Sequence, residues 1–240
     1  MKLCVAQTRP VKGDIPQNIE NHKAFIDRAV SLGVDTIIFP ELSLTGYEPE
    51  LAGELATTPD DDRFDEFQEI SDANQLTIVV GMPTRSPSGN LITLIIFQPN
   101  LARQTYSKHY LHADEEPFFV SGDRPYGFIG TDVALAICYE LSVPAHSETA
   151  FKHGAKVYLV SVAKTAIGVE NAVKSLSEIA QKYAMTVLMA NSVGPSDNFI
   201  SGGKSSIWNT AGELVGQLNE SDEGILLIDT ESQEVKQETL

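Results

Sequence analysis

Basic residues are scarce in this chain. It carries 17 Lys and Arg against 33 Asp and Glu, a formal net charge of -16. A field of that sign repels phosphate and argues against nucleic acid or an anionic membrane surface as partner. It suits a soluble protein and leaves neutral or cationic ligands open. Cysteine is scarce too. Cys4 and Cys138 are the only two, which excludes a disulfide scaffold. Apolar runs are short: none approaches the roughly 20 residues that span a bilayer. The apolar start at Leu3 gives way at once to Gln7, Thr8 and Arg9, so no signal-peptide core follows Lys2. These absences together lead us to expect a reducing, cytoplasmic setting.

What is present is enough apolar material for a sizeable core, 42 % of 240 residues. Short apolar runs at Leu3–Ala6, Thr36–Phe39, Leu76–Val80, Leu91–Phe97, Val133–Ile137, Val157–Val160, Thr186–Ala190, Ser205–Trp208 and Gly224–Ile228 read as strands. Most are continuous rather than alternating, as in strands covered on both faces. Helical spacing is expected over Gln17–Leu32, Asp62–Ala73, Pro144–His153 and Ala172–Tyr183. Strand and helix alternate at both ends around a strand-rich middle, which predicts an α/β fold of two sheets with helices outside. Without repeats or low-complexity linkers, residues 1–240 are expected to form one domain. The polar stretch 230–240 is expected to be a loose tail or a partner-binding arm.

Three segments carry reactive residues at expected strand ends. In Phe39-Pro40-Glu41-Leu42, a carboxylate follows a strand, where open α/β sheets bind ligands. In Tyr106-Ser107-Lys108-His109 a lysine does the same, and in Ile137-Cys138-Tyr139-Glu140 a cysteine. Alone, each has a plain reading: a loop cap, a solvated ammonium, a small core residue. Together they make coherent chemistry. A thiolate is a strong nucleophile, an ammonium lowers a thiol's pKa and meets an oxyanion, and a carboxylate shuttles protons. None of the five histidines stands at an obvious strand end beside Asn or Asp, which argues against a Cys–His arrangement.

These segments resemble the glutamate, lysine and cysteine motifs of the nitrilase superfamily of carbon–nitrogen hydrolases. Thr45-Gly46-Tyr47, Gln7, Asn191-Ser192-Val193-Gly194 and Gly202-Gly203-Lys204-Ser205 agree with it, and the similarity spans about residues 1 to 230 in order. The resemblance implies a four-layer α-β-β-α sandwich that pairs into homodimers or higher homo-oligomers. It implies Glu41 as general base, Lys108 as oxyanion stabiliser, Cys138 as nucleophile and the Tyr139 N–H as part of the oxyanion hole. It also implies a second glutamate near the site: Glu115 by counting back from Gly122, with Glu116 as the alternative. No metal or organic cofactor is implied, and the substrate is expected to be a small amide-type molecule.

Tyr47, Glu140 and Lys164 are further candidates for substrate contact. Lys164 departs from the family pattern, where a small residue followed by an aromatic is common. The same trio would also serve an N-carbamoyl amine hydrolase or a nitrilase. The fold could instead host a non-catalytic regulatory or binding protein, against which the presence of all three trio residues counts.

Overall fold

The apolar runs become strands whose two faces are both covered. A computed structural model describes all 240 residues. One sheet has seven strands in the order β15-β14-β1-β2-β3-β4-β5. Its members are β1 (Lys2–Gln7), β2 (Thr36–Ile38), β3 (Thr77–Ser86), β4 (Gly89–Phe97), β5 (Gln104–Ser107), β14 (Gly224–Asp229) and β15 (Val235–Thr239). The second has six, in the order β13-β12-β9-β8-β7-β6. These are β6 (Gly127–Ile129), β7 (Val133–Ile137), β8 (Val157–Ser161), β9 (Thr186–Ala190), β12 (Ser206–Trp208) and β13 (Leu214–Gln217). A separate hairpin joins β10 (Val193–Ser196) to β11 (Phe199–Gly202). β1, β2 and β3 run parallel, as do β7, β8 and β9.

Strand periodicity sorts the side chains into three cores. In β1, Leu3 and Val5 join a cluster with Leu135, Ile137, Leu159 and Leu188, which fills the space between the sheets. Their neighbours Cys4 and Ala6 point outward, against Ile19, Phe25 and Ile26 of α1 (Ile15–Ser31). Phe67 of α3 (Asp65–Asn74) packs in the same layer; a short helix α2 (Ala52–Leu55) precedes it. On the far side, Ala134, Ala136, Tyr158 and Val160 meet α4 (Pro144–Lys152) and α5 (Ala166–Tyr183) through Ala150 and Leu176. The layer order is therefore α-β-β-α, as the resemblance implied. No helix is long and apolar enough to cross a membrane.

The stretch expected as a loose tail is not loose. Val235–Thr239 forms β15 and pairs antiparallel with β14, Ile228 opposite Val235 and Gly224 opposite Thr239. Charge at Lys236, Glu234 and Glu238 hid the strand, because an edge strand needs little apolar burial and favours charge. Arg28 of α1 holds Glu238 through a two-pronged ion pair. Helix α5 also begins earlier than its apolar stripe suggested, capped by Thr165 Oγ1, which accepts from Gly168 N–H at 3.0 Å.

Deleting residues 231–240 uncovers the β14 edge. The expected result is a melting temperature lower by about 5–10 °C and concentration-dependent aggregation. An unchanged melting curve would show that β15 adds nothing to the sheet.

Candidate active site

The two sheets meet at the carboxyl ends of their central parallel strands. Ser161 Oγ, at the end of β8, donates to the Phe39 carbonyl just past β2 (2.8 Å). Two residues on, Glu41 N–H reaches the Val162 carbonyl at 3.4 Å. The Glu41 turn also lies tight against β3. A β-carbon at Gly81 would stand 2.4 Å from the Leu42 nitrogen and 2.7 Å from the Pro40 oxygen, so only glycine fits. Ser43 Oγ fixes the same turn, accepting from Gly81 N–H at 3.2 Å.

Three of the residues singled out in the sequence converge here on a buried ammonium. Lys108 Nζ donates to Glu41 Oε1 (2.8 Å) and to Glu115 Oε1 (2.6 Å), all three fully buried or nearly so. Tyr47 O–H (3.0 Å) and His112 N–H (2.8 Å) complete the environment of Glu115. Glu116 is exposed, and Glu115 is the one of the two that reaches Lys108. Glu115 gets there because Gly122 lets its segment fold back on the lysine: Gly122 N–H donates to the Lys108 carbonyl at 2.8 Å. A β-carbon at Gly122 would lie 2.3 Å from the Ser107 oxygen.

Cys138 follows β7 with φ of +44°, in the left-handed region, and opens a 3-10 turn over Cys138–Ser142. Non-glycine residues rarely sit there, and such strain is held only where surrounding contacts enforce it. Glu140 supplies that enforcement. Its Oε2 accepts from Ile137 N–H (2.8 Å) and its Oε1 from His109 N–H (2.7 Å) and the Tyr106 hydroxyl (2.8 Å). One carboxylate thus braces both the cysteine turn and the lysine segment. This corrects the expectation that Glu140 contacts substrate: it is completely buried, its oxygens are taken by Ile137 N–H, His109 N–H and the Tyr106 hydroxyl, and it does not line the cavity. Behind it, Tyr106 also contacts His146 Nε2 (2.9 Å), and His146 Nδ1 meets the Tyr158 hydroxyl (2.7 Å). Burial lowers the His146 pKa, so the ring is neutral. With the Tyr106 proton given to Glu140, Nε2 must carry the ring proton and Nδ1 must accept.

The titration of the cluster follows from its burial and its one cation. Burial pushes Glu41 up to about 7; Lys108 opposes the rise and Glu115 adds to it. Burial also works against the Lys108 ammonium, but Glu41, Cys138 and Glu115 outweigh it and raise its pKa, so it stays charged. Cys138 is pushed up to about 11, by burial first and by Glu41 second, with Lys164 and Lys108 pulling the other way. The expected lowering by an adjacent ammonium is therefore overruled by desolvation, and the resting group is a thiol. Glu41 Oε2 is buried with no hydrogen-bond partner. The thiol is close enough to favour the carboxylate without closing a bond to that oxygen.

A cavity of about 210 Å³ opens over this cluster. Cys138, Tyr139, Tyr47 and Lys164 line it, joined by His112 and Phe199, which the sequence did not signal. Phe199 comes from the β10–β11 hairpin, its ring 5.8 Å from that of Tyr47. His112 stands at the mouth, its side chain 56 % exposed and paired with the more exposed Asp114. The deeply buried His22 and His146 serve structure: Ser43 holds His22 Nε2 at 2.9 Å and the Asn18 carbonyl holds its Nδ1 at 2.7 Å. No group of three or more His, Cys, Asp and Glu side chains is arranged to hold a metal ion.

Comparison with known proteins shows the family and the fold. Among curated proteins, a hydrolase in the agr operon of Staphylococcus aureus is 28 % identical over 99 % of this chain and 94 % of its own length. The glutamine-dependent NAD(+) synthetase of Acinetobacter baylyi is 25 % identical over 90 % of this chain, which spans only 41 % of that protein. Among solved structures, a cysteine-to-alanine mutant of the amidase from Nesterenkonia sp. AN1 in complex with butyramide superposes with a TM-score of 0.84. It is 23 % identical, over 95 % of this chain and 90 % of that one, and shares the fold. The carbon-nitrogen hydrolase family model matches residues 2–238, and the chain belongs to that family, within the nitrilase superfamily.

Proposed function

We propose that this carbon-nitrogen hydrolase cleaves the amide of a small molecule to acid and ammonia, with Cys138 as nucleophile. The observation that carries this reading is the Lys108 ammonium, held 2.8 Å from Glu41 and 2.6 Å from Glu115 beside the strained Cys138 turn. An ammonium has three N–H donors. Two are committed to carboxylates, and the third is free for a substrate oxygen. Because Lys108 stays protonated, it cannot be the base. That role falls to Glu41, whose Oε2 has an unfilled acceptor position.

The Cys138 proton passes to Glu41 as Sγ attacks the amide carbon, and the carbonyl electron pair moves onto oxygen. Lys108 Nζ and the Tyr139 N–H receive that oxyanion. Glu41 then gives its proton to the amide nitrogen, the C–N bond breaks, and ammonia leaves a thioester on Cys138. Water repeats the sequence: Glu41 takes its proton, hydroxide oxygen bonds to the acyl carbon, the C–S bond breaks and the thiol is restored. Glu115 holds Lys108 in place, and Tyr47 holds Glu115. The small cavity and the butyramide bound by the Nesterenkonia protein both favour a short linear amide.

An ammonia-release screen over short amides, carbamoyl compounds and nitriles tests the reading, with Cys138→Ala as blank. Amide hydrolysis that survives in Cys138→Ala at full rate would overturn it. Lys108→Met is expected to lower kcat/KM by roughly 100- to 1000-fold, with a melting curve recorded alongside because the two carboxylates lose their shared cation. Unchanged turnover would remove Lys108 from the chemistry.

The pH profile has a defined sign. A base must be deprotonated, so with Glu41 at about 7, kcat/KM should rise about tenfold per pH unit below that value and level off above it. A flat profile between about pH 5 and about pH 8 excludes Glu41 as the base.

Alkylation separates the two cysteines. Cys4 is 1 % exposed and its thiol is pushed far up by burial, whereas Cys138 opens to the cavity. Iodoacetamide should modify Cys138 alone, more rapidly as pH rises, and leave Cys138→Ala unmodified. Equal labelling of both cysteines would contradict the burial difference.

A further inference from the structure

Lys164 is the lysine in the wall of the cavity, and its placement has a chemical meaning. The residue follows β8 and stands in the cavity wall with Cys138. Its backbone is clamped on both sides. The N–H donates to Asn191 Oδ1 (2.9 Å), and the carbonyl accepts from Asn191 Nδ2 (3.1 Å) and Gly202 N–H (2.8 Å). These bonds fix the point at which the side chain leaves the backbone.

The ammonium of Lys164 has no carboxylate partner, although Lys12, Lys23 and Lys204 each find one in this acidic chain. The acidic side chains of the same wall are engaged elsewhere. Asp114 meets His112 Nδ1 at 2.5 Å, and Glu115 is taken by Lys108, Tyr47 and the His112 backbone. Lys164 is near enough to the reacting sulfur to favour its thiolate form, ahead of Lys108 in that effect.

A second feature adds the same sign of charge. Thr165, the N-cap of α5, and Gly168 in its first turn line the same cavity. The N-terminal end of this 18-residue helix carries the positive end of its dipole. Lys164 and the helix start thus share with the reacting thiol one cavity of about 210 Å³. That holds on the order of seven water volumes, enough for a molecule of a few carbons with one group at each end.

The geometry points to Lys164 as a specificity-determining residue that selects amides bearing a carboxylate at the far end, the monoamides of short dicarboxylic acids. This rests on the amide hydrolysis described above and narrows its substrate. Hydrolysis follows the same steps: water and the monoamide give the dicarboxylate and ammonia. Lys164 holds the distal carboxylate while Cys138 attacks the amide carbon.

Succinamate and butyramide make a matched pair of probes, differing by carboxylate against methyl on the same carbon chain. The intact enzyme should favour succinamate. In Lys164→Met, the ratio of kcat/KM for succinamate over butyramide should fall roughly 10- to 100-fold, the size expected for loss of a charge-assisted hydrogen bond. Lys164→Arg should restore part of the ratio. The ratio is the readout because Lys164 also acts on the thiol and so affects both amides. A ratio unchanged within about twofold overturns the assignment while leaving amide hydrolysis intact. Calorimetric binding of succinamate to Cys138→Ala, lost in the Cys138→Ala, Lys164→Met double variant, provides a second arm without turnover. Binding without hydrolysis in the intact enzyme would sink the amidase reading and leave Lys164 as the carboxylate site. Absence of succinamate binding to Cys138→Ala would overturn the Lys164 assignment.

Discussion

A lysine ammonium buried between two carboxylates is the constraint on which the site depends. Removing such charges from water costs several kcal/mol per ion, and only close partners with good geometry offset it. Lys108 has them in Glu41 and Glu115. The balance is unequal, because two carboxylates share one cation. That excess, with burial, holds Glu41 near neutrality as a proton acceptor and keeps Lys108 permanently charged. The same desolvation keeps Cys138 protonated at rest. In the proposed mechanism the thiol is deprotonated as it attacks, by a carboxylate already in place.

The cluster exists because separate layers are tied together at one end. Bonds from Ser161 to Phe39 and from Glu41 to Val162 join the two sheets where β2 and β8 stop. Glu140 ties the cysteine turn to the lysine segment, and the neutral His146 between Tyr106 and Tyr158 extends that brace into the core. Gly81 and Gly122 permit the close approaches that bring Glu41 and Glu115 into position. These contacts set geometry, and the polar groups they use are not available to substrate.

Burial separates residues that look alike in sequence. Cys4 and Cys138 both belong to apolar strand segments, yet one is sealed between α1 and its sheet and the other stands at a strained turn beside a cavity. Glu115 and Glu116 are adjacent, and only the first turns inward. Glu140 lies two residues from Cys138, but backbone donors claim it.

By itself the sequence determined the layered α/β fold, because continuous apolar runs require cover on both faces and helical stripes alternate with them. It also singled out Glu41, Lys108 and Cys138, each a weak candidate at its strand end, through their joint resemblance to one family's motifs. Tertiary structure alone decided the rest. The edge strand β15 is stabilised by backbone pairing, which leaves no apolar pattern to read. His112 and Phe199 reach the cavity from distant segments, and their spacing carries no trace of it. The pKa order of Cys138 and Glu41 arises from desolvation, a property of the packed molecule rather than of neighbours along the chain.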